Sequence, residues 1–150
     1  MIKILFVCYG NICRSPMAEF ILKDMVSKKN ISDKFLIESR ATSTEELGND
    51  IYYLAKEKLK EKNIPFEKRN VIQLNKNDYE KYDYIIGMAD YNIEDILDII
   101  ENDYNNKVYK LLEFVGSKED IADPWYTRDF ETAYNQIYEG CTSLLKSLNY

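Results

Sequence analysis

Apolar positions along the chain switch between two rhythms. Ile2–Val7 is nearly continuous apolar sequence, as expected for a central strand covered on both faces. Ser15 and Pro16 suit the cap and first turn of a helix, and Met17, Phe20, Ile21 and Met25 then share one helical face. Phe35–Ser39 predicts a second strand. Asp50 is placed to cap a helix with Ile51, Leu54, Ala55 and Leu59 inward, ended by Asn63-Ile64-Pro65. Tyr84–Met88 predicts a third strand. Asn92 is placed to cap a helix with Ile93, Ile96, Leu97 and Ile100 inward, and Lys107–Leu112 reads as a fourth strand. The clearest helix is the last, where Phe130, Ala133, Tyr134, Ile137, Tyr138, Cys141, Leu144, Leu145 and Leu148 keep helical spacing.

Strands alternating with helices predict an α/β fold. The expected form is a three-layer sandwich, with a four-stranded parallel sheet and helices on both faces. No repeat, low-complexity linker or composition break interrupts the pattern, so residues 1–150 read as one domain. In such sheets ligands bind beyond the carboxyl ends of the strands.

Composition narrows the function classes. Hydrophobic residues make up 45% and charged residues 31%, ordinary for a globular protein. The net charge of −6 argues against nucleic acid or an anionic membrane as main partner. No apolar stretch is long enough to cross a bilayer. The N-terminal apolar run has a strand's length and no cleavage pattern, so no signal peptide is expected. An odd count of three cysteines fits a reducing compartment, and a cytoplasmic location is expected. The chain has no histidine, which excludes Cys–His and Ser–His catalytic pairs and any His-ligated metal site. Neither metal nor cofactor is expected.

The candidate chemistry lies directly after the first strand, in Val7-Cys8-Tyr9-Gly10-Asn11-Ile12-Cys13-Arg14-Ser15-Pro16. This is a strand, a tight phosphate-binding loop and a helix start. Inward N–H groups of such a loop favour an anion. Arg14 adds a planar fork of donors matched to phosphate oxygens. The same positive field favours a thiolate on Cys8, a nucleophile. Gly10 relieves crowding where amides turn inward, and Asn11 tolerates left-handed backbone. Cys141, on the inward stripe of the last helix, reads as core.

The run Cys8–Pro16 resembles the C-x-G-N-x-C-R-S-P signature of the low-molecular-weight protein tyrosine phosphatases. Asp123-Pro124-Trp125-Tyr126 resembles that family's Asp-Pro-aromatic-aromatic loop, and Glu38–Ser43 and Tyr82–Met88 resemble its intervening segments. The resemblance implies phosphotyrosine hydrolysis through a phosphocysteine on Cys8, with Arg14 on the phosphate and Asp123 as proton donor. It implies phosphotyrosine proteins or other aryl phosphates as partners, and a monomer or weak homodimer. Asp-Pro also commonly opens a turn. Ser15 has two readings: a helix cap, or the family's serine bonded to the nucleophile. Ser39 matches a serine that bonds Asn11, and reads equally as a polar strand end. Cys13 is either a small buried loop residue or, as the resemblance implies, a partner that traps oxidised Cys8 as a disulfide. Tyr9, Trp125 and Tyr126 would wall the entrance for a flat ring, although some aromatics are expected anywhere in a chain with 13 tyrosines.

Three positions depart from the family pattern. Phe66–Leu74 lacks the usual histidine, with Arg69 as the nearest match. Ala89 replaces an aspartate after Met88, leaving that carboxylate missing or displaced to Asp90. Glu45 stands where relatives place a rim aromatic, and should weaken ring clamping and repel acidic peptides. The competing functions are a phosphoarginine phosphatase, an arsenate reductase and a non-catalytic phosphate-binding or phosphotransfer module. Related arginine phosphatases usually carry threonine at the position of Ile12, so Ile12 with Trp125-Tyr126 favours an aryl phosphate. Arsenate reduction needs further relay cysteines, and Tyr82–Ile100 has none.

Overall fold

The computed structural model describes all residues, 1–150. Its elements run β1 (Ile2–Cys8), α1 (Arg14–Lys28), β2 (Phe35–Ala41), α2 (Tyr53–Glu61), α3 (Asp78–Lys81), β3 (Tyr84–Gly87), α4 (Asp90–Ile100), β4 (Val108–Lys110), α5 (Pro124–Thr127) and α6 (Phe130–Ser147). Short 3₁₀ turns occupy Ser32–Lys34 and Leu111–Val115. The four strands form one parallel sheet in the order β2-β1-β3-β4. The expected α/β sandwich is the observed one.

β1 lies between β2 and β3 and is apolar on both sides for that reason. Ile4, Phe6 and Cys8 face a core shared with α1, α2 and α6, while Leu5 and Val7 face a second core with Tyr79, Tyr82, Ile96 and Ile100. Strand order reverses across β1 and β3, so the crevice beyond their carboxyl ends is where this fold accepts a ligand. Cys8 ends β1 there. No helix is long and apolar enough to cross a membrane.

Several sequence expectations are corrected. Asp50 does not cap α2, which starts at Tyr53; its Oδ1 accepts from the amides of Ile51 and Arg69 at 2.7 and 3.2 Å. Asn92 lies inside the first turn of α4, and its Oδ1 accepts from Ala89 N at 3.0 Å. Leu97 and Tyr138, expected inward, are 38% and 46% exposed. The fourth strand stops at Lys110 because Leu111 and Leu112 turn into the core against α6. Burying two leucines is worth about 1.5–3 kcal/mol each, more than the ladder bonds forgone at about 0.5–1.5 kcal/mol. The short helices α3 and α5 carry too few residues to show a period.

The contact of α6 with the Leu111 turn needs a bare helix surface. A Cβ on Gly140 would lie 2.5 Å from Leu111 Cγ. Helix propensity alone favours Gly→Ala by about 1 kcal/mol, whereas overpacking a filled site costs about 1–3 kcal/mol. Gly140→Ala is therefore expected to lower the thermal midpoint, and Leu111→Ala in the same chain to cost less than it does alone. A raised midpoint in Gly140→Ala would contradict this packing.

Candidate active site

The loop Tyr9–Cys13 joins the end of β1 to the start of α1. The carbonyls of Cys8 and of every loop residue but Gly10 are hydrogen-bonded. Cys8 O accepts from Thr42 N at 3.0 Å, Tyr9 O from Ser43 N at 3.1 Å, Ile12 O from Tyr52 N at 2.9 Å and Cys13 O from Met17 N at 3.1 Å. Asn11 O accepts from Arg69 Nη2 at 2.6 Å. Asn11 takes the left-handed conformation, φ 57°, and is fully buried. The amides of Gly10, Ile12, Cys13 and Arg14 make no hydrogen bond within the chain. Such a ring of free N–H groups at a helix start is an anion site.

Cys8 Sγ sits in this ring and accepts from Asn11 N at 3.3 Å. Ser15 Oγ is 3.0 Å from the sulfur and itself accepts from Asn11 Nδ2 at 2.7 Å. Ser15 Oγ thus bridges Asn11 and the sulfur, and its hydroxyl is free to donate to a Cys8 thiolate. Ser15 is thus not the helix cap: α1 starts at Arg14, and the cap position holds Cys13 with no side-chain cap bond.

Arg14 is 1% exposed. Its Nη1 donates to Ile121 O at 2.9 Å and its Nη2 to the Tyr91 hydroxyl at 2.5 Å, while Asp123 Oδ2 lies 3.4 Å from Nη2. Its Nε is buried without a partner, a donor left for an anion. Burial opposes the charge, yet Cys8, Asp123 and Tyr91 outweigh it and raise the guanidinium pKa. Asp123 caps the short α5 by accepting from Trp125 N at 3.0 Å. Asp123 therefore both holds a turn and lies beside Arg14.

The cleft above Cys8, about 440 Å³, is lined by the loop, Arg14, Asp123, Glu45, Glu46, Trp125 and Tyr126. Tyr9 donates its hydroxyl to Glu45 at 2.7 Å, which fixes that wall. Trp125 packs edge-on against Tyr52 with ring centres 4.7 Å apart. Tyr126 is 78% exposed and stands at the mouth. Cys13 is buried, and burial followed by the nearby Cys8 and Asp123 pushes its thiol pKa up.

Residues 3–150 match the family model described as low molecular weight phosphotyrosine protein phosphatase. The chain belongs to this family. It is 35% identical over 150 residues to the low molecular weight protein-tyrosine-phosphatase YfkJ of Bacillus subtilis, covering 99% of this chain and 96% of the relative. The crystal structure of YfkJ superimposes with a TM-score of 0.95, covering 99% and 95% of the two chains. SP-PTP, the low molecular weight protein tyrosine phosphatase of Streptococcus pyogenes, is 40% identical with a TM-score of 0.89, over 99% and 93% of the two chains. The Drosophila arginine phosphatase DARP is 29% identical with a TM-score of 0.90, over 99% of each chain.

Within the low molecular weight phosphatase frame, the departures acquire positions. Ser39 does not reach Asn11; it donates to Glu19 Oε1 at 2.6 Å, so the expected bond is replaced by one beneath α1. Arg69 takes up loop support through Asn11 O, where a histidine was missed. The carboxylate expected at Asp90 is turned to Lys110 at 2.8 Å, and Arg14 meets the Tyr91 hydroxyl instead. Sequence reasoning missed Tyr91 and Tyr52. Tyr91 lies just past the carboxyl end of β3, which the fold rule marks as ligand territory; Tyr52 carries no such signal.

Asp50 anchors the segment that delivers Arg69. Burial raises its pKa, but Lys56 at 2.7 Å and the amides of Ile51 and Arg69 outweigh that, so the net shift is downward. A lowered folded-state value means stability present above the ordinary 3.8 and lost as pH falls through the folded value. Asp50→Asn is expected to cost about 0.5–1 kcal/mol at neutral pH. In urea denaturation the gap from wild type should close in acid below the ordinary carboxylate value. A gap independent of pH would contradict the anchor.

Proposed function

We propose that this chain hydrolyses phosphotyrosine in proteins, and aryl phosphates generally, through a phosphocysteine on Cys8. The observation that carries the reading is a single cleft lined by Cys8, by a loop with four unpaired amides, and by Arg14 and Asp123. The phosphate dianion docks on those amides and on Arg14, whose free Nε is available to it. Cys8 sulfur attacks phosphorus as the bond from phosphorus to the aryl oxygen breaks. Asp123 gives its proton to the departing phenolate. Water then attacks the phosphocysteine, Asp123 takes the water's proton, and the S–P electron pair returns to Cys8 as thiolate. Ser15, whose hydroxyl is free to donate to the sulfur, stabilises that leaving thiolate. Acid–base assistance of this kind is worth roughly 10²–10⁴ in rate.

The walls support an aryl ester. Tyr9 and Trp125 are held by Glu45 and Tyr52, and offer flat faces to a ring. Glu45 and Glu46 line the same cleft and disfavour acidic residues beside the phosphotyrosine. Cys13, in the same loop as Cys8, can condense with a sulfenic acid on Cys8, releasing water and forming a disulfide. Such a safeguard suits action in the reducing cytoplasm, on phosphotyrosine proteins, as a monomer or weak homodimer of one domain. An arsenate relay has little to use, since Cys141 is buried in the core against Ala18 O.

Wild type is expected to hydrolyse p-nitrophenyl phosphate, Cys8→Ser to be inactive, and Asp123→Asn to turn over roughly 10²–10⁴ more slowly. Phosphotyrosine peptides should be cleaved ahead of phosphoserine and phosphoarginine. Activity retained by Cys8→Ser would overturn the mechanism. Preference for phosphoarginine would reassign the substrate to the class named for the Drosophila relative.

A further inference from the structure

We propose that Tyr91 is the positioning residue for Arg14, orienting the guanidinium with a neutral hydroxyl rather than a carboxylate. The proposal rests on the phosphatase reading above. Arg14 is buried and has only two hydrogen-bond anchors, Ile121 O and the Tyr91 hydroxyl. Both anchors trace to the end of β3. Ile121 N is bound to Met88 O at 2.9 Å. Tyr91 is the second residue of α4, whose first turn is locked by the bond from Ala89 N to Asn92 Oδ1 and the return bond from Asn92 N to Ala89 O. The guanidinium carbon also lies 5.5 Å from the centre of the Tyr91 ring.

A neutral acceptor has a distinct consequence. A carboxylate in this place would hold Arg14 and cancel part of its charge. The hydroxyl orients the fork and leaves the full positive field for the phosphate. The one carboxylate that approaches Arg14 is then Asp123, at 3.4 Å from the same Nη2 that Tyr91 engages. Tyr91 therefore competes with the proton donor for Arg14. Without the hydroxyl, Nη2 closes on Asp123, which draws the fork off the phosphate. The titratable and charged groups facing this pair are Cys8 from β1, Cys13 from the loop, Tyr91 from α4 and, beyond Cys13, Arg128.

The test compares wild type with Tyr91→Phe, which keeps the ring and removes the hydroxyl, and Tyr91→Leu, which removes both. Tyr91 is 43% exposed, so both variants should fold, and thermal melting checks this directly. Inorganic phosphate binding is measured by calorimetry, which needs no turnover. Tyr91→Phe is expected to bind phosphate about tenfold more weakly, the scale of a hydrogen bond to a charged group. Its kcat/KM for p-nitrophenyl phosphate should fall by a similar factor. Tyr91→Leu should lose at least as much. Unchanged phosphate affinity in a normally melting Tyr91→Phe would overturn the proposal. Failure of wild type to hydrolyse any phosphoester would instead strike the phosphatase reading, since the phosphate-binding comparison stands without it.

Discussion

Four carbonyl oxygens of the turn after β1, those of Cys8, Tyr9, Asn11 and Ile12, are bound by Thr42, Ser43, Arg69 and Tyr52 from other segments, and the amides of Gly10, Ile12, Cys13 and Arg14 are left without a partner in the chain. A loop of this length cannot satisfy both sets of backbone groups. The fold resolves the conflict by surrounding the loop with acceptor-seeking donors from the ends of β2, the approach to α2 and the Arg69 segment. Gly10, Ile12, Cys13 and Arg14 line the cleft, and amides left unpaired at a helix start suit an anionic group.

The electrostatics of the site follow from a chain without histidine. The positive charges near Cys8 are two arginines, which do not titrate in the working range. Arg14 faces the cleft, and Arg69 acts from behind, where burial lowers its pKa against the opposing pull of Glu19, Cys8 and Asp50. The sulfur is hydrogen-bonded to a backbone amide and to Ser15, whose hydroxyl oxygen also accepts from Asn11. Orientation is thereby assigned to neutral groups and charge to the arginines. Tyr91 follows the same division on the far side of Arg14.

Periodicity made the layers legible. β1 reads as apolar because it has a neighbour on each side, and α6 keeps its stripe for 18 residues. Less legible were short elements and caps. Asp50 and Asn92 have the composition of helix caps, but each carboxylate or amide found a better donor one or three residues away. The Cys8–Pro16 run and Asp123 were visible because their spacing is local. Tyr91, Tyr52 and the bond from Ser39 to Glu19 arise from tertiary approach between distant segments, which no local pattern encodes.

The central claim is that the sulfur held in the amide ring is the phosphoryl acceptor. It is tested most directly by rapid acid quench of Asp123→Asn during turnover of an aryl phosphate, followed by mass spectrometry of the Cys8 peptide. Slowed hydrolysis of the intermediate should leave one phosphoryl group on Cys8 and none on the same peptide from Cys8→Ser. A phosphoryl group on another residue, or turnover with Cys8 never modified, would contradict the account.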